Sequence, residues 1–249
     1  MLRRWLKLWR LARIRLRSEA HYQAFQHYQG QWVIEGLIYH GCELSDHWIL
    51  DLGCGYGGYS LALKEAGARV VALDLFLSAS FLKEGVMWLR GDALCLPFLS
   101  GSFDGVFCAS LIEHVPDPLK LLHEIRRVLR KRGWAYVSFP PFYSPRGGHQ
   151  FSPFHYFGER IALALIRRRR WWGESSWVPE RFPVSPSSFA HAFGDYGLFP
   201  LTIRQARELI NEVGFQIIHQ GVRFMPLNFS RLPLLGEILT WHVEFILRS

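Results

Sequence analysis

The sequence predicts an α/β fold, a doubly wound sheet with helices on both faces. Three observations carry this reading. Apolar runs of strand length recur along the chain and end on acidic or polar residues. A turn with four glycines joins the first of these runs to a helix. Cap residues, prolines and glycines delimit further helices between the later runs. Strands apolar on both faces belong to parallel sheets covered by crossover helices.

The elements follow in order. Ile49-Leu50-Asp51-Leu52 is the first strand and runs into Gly53-Cys54-Gly55-Tyr56-Gly57-Gly58. Glycine admits positive φ and close approach of a ligand to backbone, and the next helix points its unpaired N–H groups at the turn. That helix spans Gly58 to Ala66, with Gly67 as a left-handed stop. Arg69 to Asp74 is the second strand, ending in an acid just over twenty residues beyond Asp51. An acid there can take both ribose hydroxyls of a nucleoside. Val86 to Arg90 leads into Gly91-Asp92-Ala93, so Asp92 ends a third strand, where it could accept from an adenine amino group. Phe103 to Ser110 is the fourth strand and continues into Leu111-Ile112-Glu113-His114-Val115.

Beyond it, Asp117 as N-cap, Pro118 at the first helical position and Gly133 past the end delimit a helix through Leu119, Leu122, Ile125, Val128 and Leu129. Trp134 to Phe139 is the fifth strand. Thr202 and Gln205 make a capping box for a helix that reaches Val213 and stops at Gly214. Phe215 to Val222 is the sixth strand. Ligands of open α/β sheets bind outside the carboxyl ends of the strands, so the first four endings should face one crevice.

With those residues in place, the chain resembles the class I S-adenosylmethionine-dependent methyltransferases, in the type 11-like branch of small-molecule enzymes with a D-x-G-C-G-x-G loop. The resemblance spans residues 45–140 strongly and 200–225 weakly. It implies a Rossmann-like, seven-stranded-type sheet and S-adenosyl-L-methionine as cofactor. It also implies that Asp51, Gly53, Cys54, Gly55, Tyr56 and Gly57 form the cofactor loop, Asp74 with Leu75 binds ribose, and Asp92, Ala93 and Leu94 contact adenine. Ser110 opens the segment beside the methyl donor, which runs to His114. A nicotinamide dinucleotide is the rival ligand, since Gly53, Gly55 and Gly58 satisfy G-x-G-x-x-G. The Asp51 start, the Gly-Asp-Ala ending and the Glu-His-Val element decide for the methyl donor.

The chain of 249 residues, 49% of them hydrophobic, suits one large α/β domain with additions. Residues 1–44 are read as a basic amphipathic helix and a cap helix, 45–140 as the cofactor-binding core, 141–201 as an inserted substrate cap after the fifth strand, and 202–249 as completion of the core plus an apolar helix. The first 17 residues carry Arg3, Arg4, Lys7, Arg10, Arg13, Arg15 and Arg17 and no acid, hence seven of the eight net positive charges. At helical spacing Leu2, Trp5, Leu8, Trp9, Ala12 and Leu16 share one face. Such a helix either lies on an anionic membrane surface or packs its apolar face on the domain. His21 to Tyr39 reads as helix, with Tyr22, Phe25, Tyr28 and Trp32 in packing roles. In the last stretch Leu232, Leu235, Leu239, Val243 and Ile246 recur at helical spacing, and they pack on the core, against a second copy, or on the membrane beside the N-terminal helix.

Composition excludes some classes. No apolar run approaches the roughly 20 residues of a membrane-spanning helix, and no signal-peptide cleavage pattern follows the N-terminal segment. Cys42, Cys54, Cys95 and Cys108 form no C-x-x-C pair and are read as reduced core thiols of a cytoplasmic protein, so no metal is expected. Nucleic acid is not the favoured acceptor: the chain lacks an N-P-P-Y element, and Phe139-Pro140-Pro141-Phe142 is only partly like it and follows the fifth strand.

Methyl transfer to oxygen needs an acceptor held in line and a group that takes its proton. His114 lies nearest the methyl by motif position, and His149 and His155 fall in the 141–201 segment; these three are the candidate bases. For His114 the alternative is a residue that shapes the pocket, and for His149 one that fixes a turn. Arg167 to Arg170 with Trp171 and Trp172 form either a solvated helix end or a phosphate contact. The expected activity is O-methylation of a small-molecule, sugar, lipid-linked or isoprenoid-type acceptor at the inner membrane face, by a monomer or homodimer. The alternative is a cofactor-binding partner protein without chemistry of its own.

Overall fold

The computed structural model describes residues 2–77, 82–168, 187–192 and 197–249. Its strands are β1 (Trp48–Leu52), β2 (Arg69–Asp74), β3 (Val86–Arg90), β4 (Phe103–Ala109), β5 (Leu129–Phe139), β6 (Gln216–Val222) and β7 (Val243–Arg248). They form one sheet in the spatial order β3-β2-β1-β4-β5-β7-β6. β1 to β5 are parallel, and β7 runs antiparallel between β5 and β6. The chain leaves β1 for β2 on one side and later returns to place β4 on the other. That reversal opens a crevice at the carboxyl ends of β1 and β4.

Period-two alternation builds the two faces. Leu50 and Leu52 of β1 point to the same side as Val71, Leu73, Val106, Cys108, Ala135 and Val137. There they meet α4 (Pro118–Val128) through Leu121, Leu122 and Ile125, and α6 (Ile203–Val213) through Ile203, Ala206 and Ile210. Ile49, Val70, Ala72, Phe107, Trp134 and Tyr136 point the other way, onto Val33 and Leu37 of α2 (Glu19–Tyr39) and Tyr59 and Leu63 of α3 (Gly58–Glu65). The doubly wound α/β class read from the sequence is therefore the observed one. α1 (Leu2–Ile14) lies on α2, where Arg4 pairs with Glu35 at 2.7 Å, Trp5 meets Trp32 edge-on at 5.3 Å, and Leu8 is buried. Its apolar residues divide between two sides: Leu6 and Trp9 remain exposed, as does Leu16 in the turn that follows.

Caps stand where the sequence placed them. Asp117 accepts from Lys120 N–H, the Thr202–Gln205 capping box is complete, and Gly67 and Gly214 take the left-handed conformation after their helices. Four expectations need correction. α4 ends at Val128, and Leu129 already belongs to β5, which begins five residues before Trp134. Gly133 is thus inside a strand, beside a register shift between the Phe103 and Gly105 pairings, and does not stop a helix. The apolar C-terminal helix is only α7 (Leu235–Leu239); Val243 and Ile246 belong to β7. Val243, Phe245 and Leu247 enter the core on one face of the sheet and Ile246 on the other, so a strand buried on both sides imitated helical spacing. Finally, Cys95 is exposed, whereas Cys42, Cys54 and Cys108 are buried, all as free thiols.

After β5 the chain builds a small core of its own from Phe142, Phe151, Ala162, Leu163, Phe189 and Leu198. Phe142 N–H donates to Leu201 carbonyl at 2.9 Å and closes the neck of this segment. α5 (Glu159–Arg168) lies within it. Arg169, Arg170, Trp171 and Trp172 lie outside the described residues, as do the side chains of Arg167 and Arg168. Among the described residues no helix is long and apolar enough to cross a membrane.

Candidate functional site

β1 delivers Asp51 and the glycine turn to the crevice. Asp51 is only 1% exposed, and its Oδ2 accepts from the hydroxyl of Ser60 in the first turns of α3, which fixes the helix against the strand. Burial pushes the Asp51 carboxyl up to about 7, against the opposing effect of the Ser60 bond. Gly53 and Cys54 N–H both donate to Leu73 carbonyl, so the turn continues the β1–β2 ladder. Gly57 has φ of +74°, and a Cβ there would lie 2.3 Å from the ring of Trp88. At Gly55, also at positive φ, a Cβ would meet nothing within 4 Å, so this backbone borders open space. Tyr56 is buried, edge-on to Tyr22, and its carbonyl accepts from Gln23 of α2.

The neighbouring strands supply acids to the same end. Asp74 closes β2 and accepts from Gly55 N–H at 2.8 Å and from Phe76 N–H at 3.0 Å. Leu75 is exposed, and its carbonyl accepts from Arg90. Asp92, two residues past β3, is exposed and accepts from Leu94 N–H, while Ala93 is buried beneath it. Ser110 follows β4 at positive φ and is exposed, with its N–H bonded to Ser138 carbonyl on β5. Asp51, the glycine turn, Asp74, Asp92 and Ser110 thus come from four strand ends at one edge of the sheet.

The histidines do not behave alike. His114 Nδ1 donates to Gly197 carbonyl at 2.8 Å, and His149 Nδ1 donates to Gly147 carbonyl at 3.2 Å. The two rings face edge to face at 4.9 Å. Burial holds His114 down at about 3, with His149 adding to the effect, and holds His149 down at about 4. Both are therefore neutral at pH 7. His155 instead turns into the core of the 141–201 segment, between Phe142 and Tyr156, and burial lowers its pKa as well. It also borders a cleft of about 500 Å³ with Tyr143, Tyr156 and Phe199.

Two residues close to this end, Arg223 and His242, went unread in the sequence, and Glu113 was read only as part of a motif. Glu113 is buried beside His114, and burial pushes its carboxyl up to about 8. Arg223, just past β6, is buried and donates to Ser138 Oγ and Tyr59 OH, with His242 Nε2 at 3.2 Å. Glu113 stands in a quoted motif, but nothing in its spacing reveals the lack of donors around it. Arg223 and His242 carry no local signal, because β7 brings them together only in the folded sheet.

Residues 50–137 match the family model described as "Methyltransferase domain". That stretch holds the turn, both strand-end acids and the Glu113-His114 element. This region carries a methyltransferase domain, and the curated relatives that share it are named methyltransferases. An uncharacterized methyltransferase of Mycobacteroides abscessus is 27% identical over 222 residues, 84% of this chain and 78% of that one. Against other mycobacterial relatives the methyltransferase spans about half to three fifths of their length. Among solved structures, an S-adenosylmethionine-dependent methyltransferase from Mesorhizobium loti aligns with a TM-score of 0.58 at 20% identity, covering 88% of this chain and 98% of the other. The 1,6-didemethyltoxoflavin-N1-methyltransferase of Burkholderia thailandensis, with bound 1,6-didemethyltoxoflavin and S-adenosylhomocysteine, aligns at 0.54 and 16% identity over 90% and 78%. These structural likenesses establish the fold.

Proposed function

We propose that this methyltransferase moves the methyl of S-adenosylmethionine to a hydroxyl of a small-molecule, sugar or lipid-linked acceptor. The observation that carries the proposal is the meeting of two parts at one sheet edge. The turn at Gly55 with Asp74 forms one, and the 141–201 segment, whose Gly197 and Phe199 bond to His114 and Glu113, forms the other.

The open backbone at Gly55 and the carboxylate of Asp74 fit a nucleoside with vicinal hydroxyls, and the exposed Asp92 fits an adenine amino group. When bound, the cofactor supplies an electrophilic methyl on a sulfonium. Gly53, Gly55 and Gly57 allow close approach of the backbone, with Cys54 and Tyr56 packed beneath. Leu75, Ala93 and Leu94 offer apolar contacts, and Ser110 borders the donor. His114 and His149, neutral at pH 7 and oriented by carbonyls through Nδ1, are the candidate acceptors for a proton leaving the hydroxyl. The burial that keeps them neutral also makes them weak bases, so the proton leaves late, as the oxygen bonds to the methyl. Aromatic residues of the 141–201 segment exclude water from the transfer. The exposed Leu6 and Trp9 on basic α1 support docking at an anionic, inner membrane face, which suits a lipid-linked acceptor.

Calorimetry with S-adenosylhomocysteine, followed by a product assay over sugar, phenol and polyprenyl-linked hydroxyls, tests this reading. Binding with turnover on one of these classes is expected. Absence of binding overturns the cofactor site. Binding without turnover on any acceptor class overturns the transfer and favours a cofactor-binding partner protein.

A further inference from the structure

Glu113 is the buried polar group that the crevice leaves unexplained. It is 2% exposed, and neither carboxylate oxygen has a hydrogen-bond partner among the described residues. The buried Arg223 guanidinium acts on Glu113 as a counter-charge, but no described residue gives either oxygen a hydrogen bond, so the group still calls for a ligand at that place. Its neighbours supply a setting for one. One ligand atom from each of Glu113, His114 and His149 lies within 4.8 Å of the other two. His114 Nε2 is 3.9 Å from Glu113 Oε1. Each imidazole gives its Nδ1 proton to a backbone carbonyl, Gly197 for His114 and Gly147 for His149. That outer bond is the device that orients imidazoles at metal centres and directs Nε2 to the ion.

We propose that Glu113, His114 and His149 bind a single divalent transition-metal ion, with Zn²⁺ the best match to the donors. Two imidazoles and one carboxylate are a ligand set of open catalytic zinc sites, which keep a further position for an exogenous oxygen. Bonds of about 2.0–2.2 Å place ligand atoms about 3–3.5 Å apart. The present spacing of up to 4.8 Å is wider than that, so binding an ion requires the three side chains to draw together. Because His149 comes from the 141–201 segment and the other two follow β4, the ion pins that segment over the crevice. A role in the reaction rests on the O-methylation reading above. With both Nε2 atoms held by the ion, the imidazoles no longer take the proton: an acceptor hydroxyl on the open position gives it to solvent, its acidity raised by the metal. Its oxygen then bonds to the methyl carbon as the carbon–sulfur bond breaks, leaving S-adenosylhomocysteine.

The test measures metal before activity. Full-length chain stripped with chelator is titrated with Zn²⁺ alone, and bound metal is counted after dialysis. One ion per chain is expected, with affinity reduced at least tenfold in both His149→Gln and Glu113→Gln. His27→Ala, which removes a surface imidazole, should keep the wild-type stoichiometry. Circular dichroism checks that each variant is folded, and Co²⁺ loading gives a visible absorption band if imidazoles bind it. No ion in the wild type, or equal affinity in folded His149→Gln and Glu113→Gln, overturns the site. Neither readout needs an acceptor, so failure here leaves the transfer reading standing. Conversely, Zn²⁺ bound by a chain with no turnover keeps the site and removes only its catalytic role.

Discussion

The N–H of Gly55 donates to Oδ2 of Asp74 at 2.8 Å, so the turn after β1 is tied to the acid that ends β2. Phe76 N–H holds the other oxygen at 3.0 Å, and the carboxylate is fixed from two sides. Asp74→Ala removes the group proposed to take both ribose hydroxyls. Charge-assisted hydrogen bonds of that kind are worth about 2–3 kcal/mol together, so the Kd for S-adenosylhomocysteine should rise roughly 30–100-fold. Calorimetry decides the matter, and a variant that binds like the wild type removes Asp74 from the site.

Two glycines of the same turn should fail in different ways. Alanine in the left-handed region costs about 1–2 kcal/mol by itself. Gly57→Ala adds a Cβ 2.3 Å from the Trp88 ring, so its melting temperature should fall well beyond that of Gly55→Ala. Gly55→Ala meets no atom within 4 Å in the protein, but its methyl enters the space the turn leaves open. It should stay folded and bind S-adenosylhomocysteine at least tenfold more weakly. Normal binding by Gly55→Ala would mean that the ligand does not approach there.

Asp51 gives a pH dependence with a definite sign. Its carboxyl titrates near 7 when folded, because of burial, and near 4 when unfolded. Between those values the folded chain binds the extra proton, so this group's contribution to stability falls as pH rises from about 4 to 7 and stays low above that. Asp51→Asn cannot ionise and escapes the loss. Relative to the wild type, the variant should gain stability between pH 5 and pH 8, by up to a few kcal/mol on the scale of about 1.4 kcal/mol per pH unit. Urea unfolding of ligand-free protein across that range measures it, and parallel profiles would contradict the assignment.

Much of the site was legible because its signals are local. Asp51, Gly55, Asp74 and Asp92 sit at ends of buried strands, and a strand end is fixed by a few adjoining residues. The same holds for Asp117, Thr202 and Gly214 at helix ends. What escaped depends on distant partners. β7 read as helix because Val243 and Ile246 are both buried, though on opposite faces, and a single sequence does not say which sheet edge accepts them. Gly133 read as a stop because only pairing with β4 makes Leu129 a strand residue. The meeting of His149 with Glu113 and His114 depends on chain that follows β5 returning to the end of β4, a contact between residues 35 positions apart. The arginine–tryptophan run after α5 falls largely beyond the described residues.

The outer face of α1 leads to the last prediction. Its inner side is used: Trp5 on Trp32, Lys7 over Tyr28 and Leu8 buried against the domain. Its outer side shows Leu6 at 57% and Trp9 at 61% exposure, with Arg3, Arg10 and Arg13 beside them and the Arg13 guanidinium over the Trp9 ring. Packing on the domain and lying on a membrane are thus compatible, since they use different sides of one helix. Removing residues 1–17 would uncover Trp32 and Tyr28, so point variants give the cleaner test. Each basic residue near an anionic surface contributes about 1 kcal/mol, and inserted Trp and Leu add apolar burial. The protein should float with phosphatidylserine-rich vesicles, not with neutral ones, and release in high salt. Leu6→Ser with Trp9→Ser should lower the bound fraction about tenfold while the fold, followed by circular dichroism, is unchanged. Equal flotation of variant and wild type, or none of either, would leave α1 as a packing helix alone.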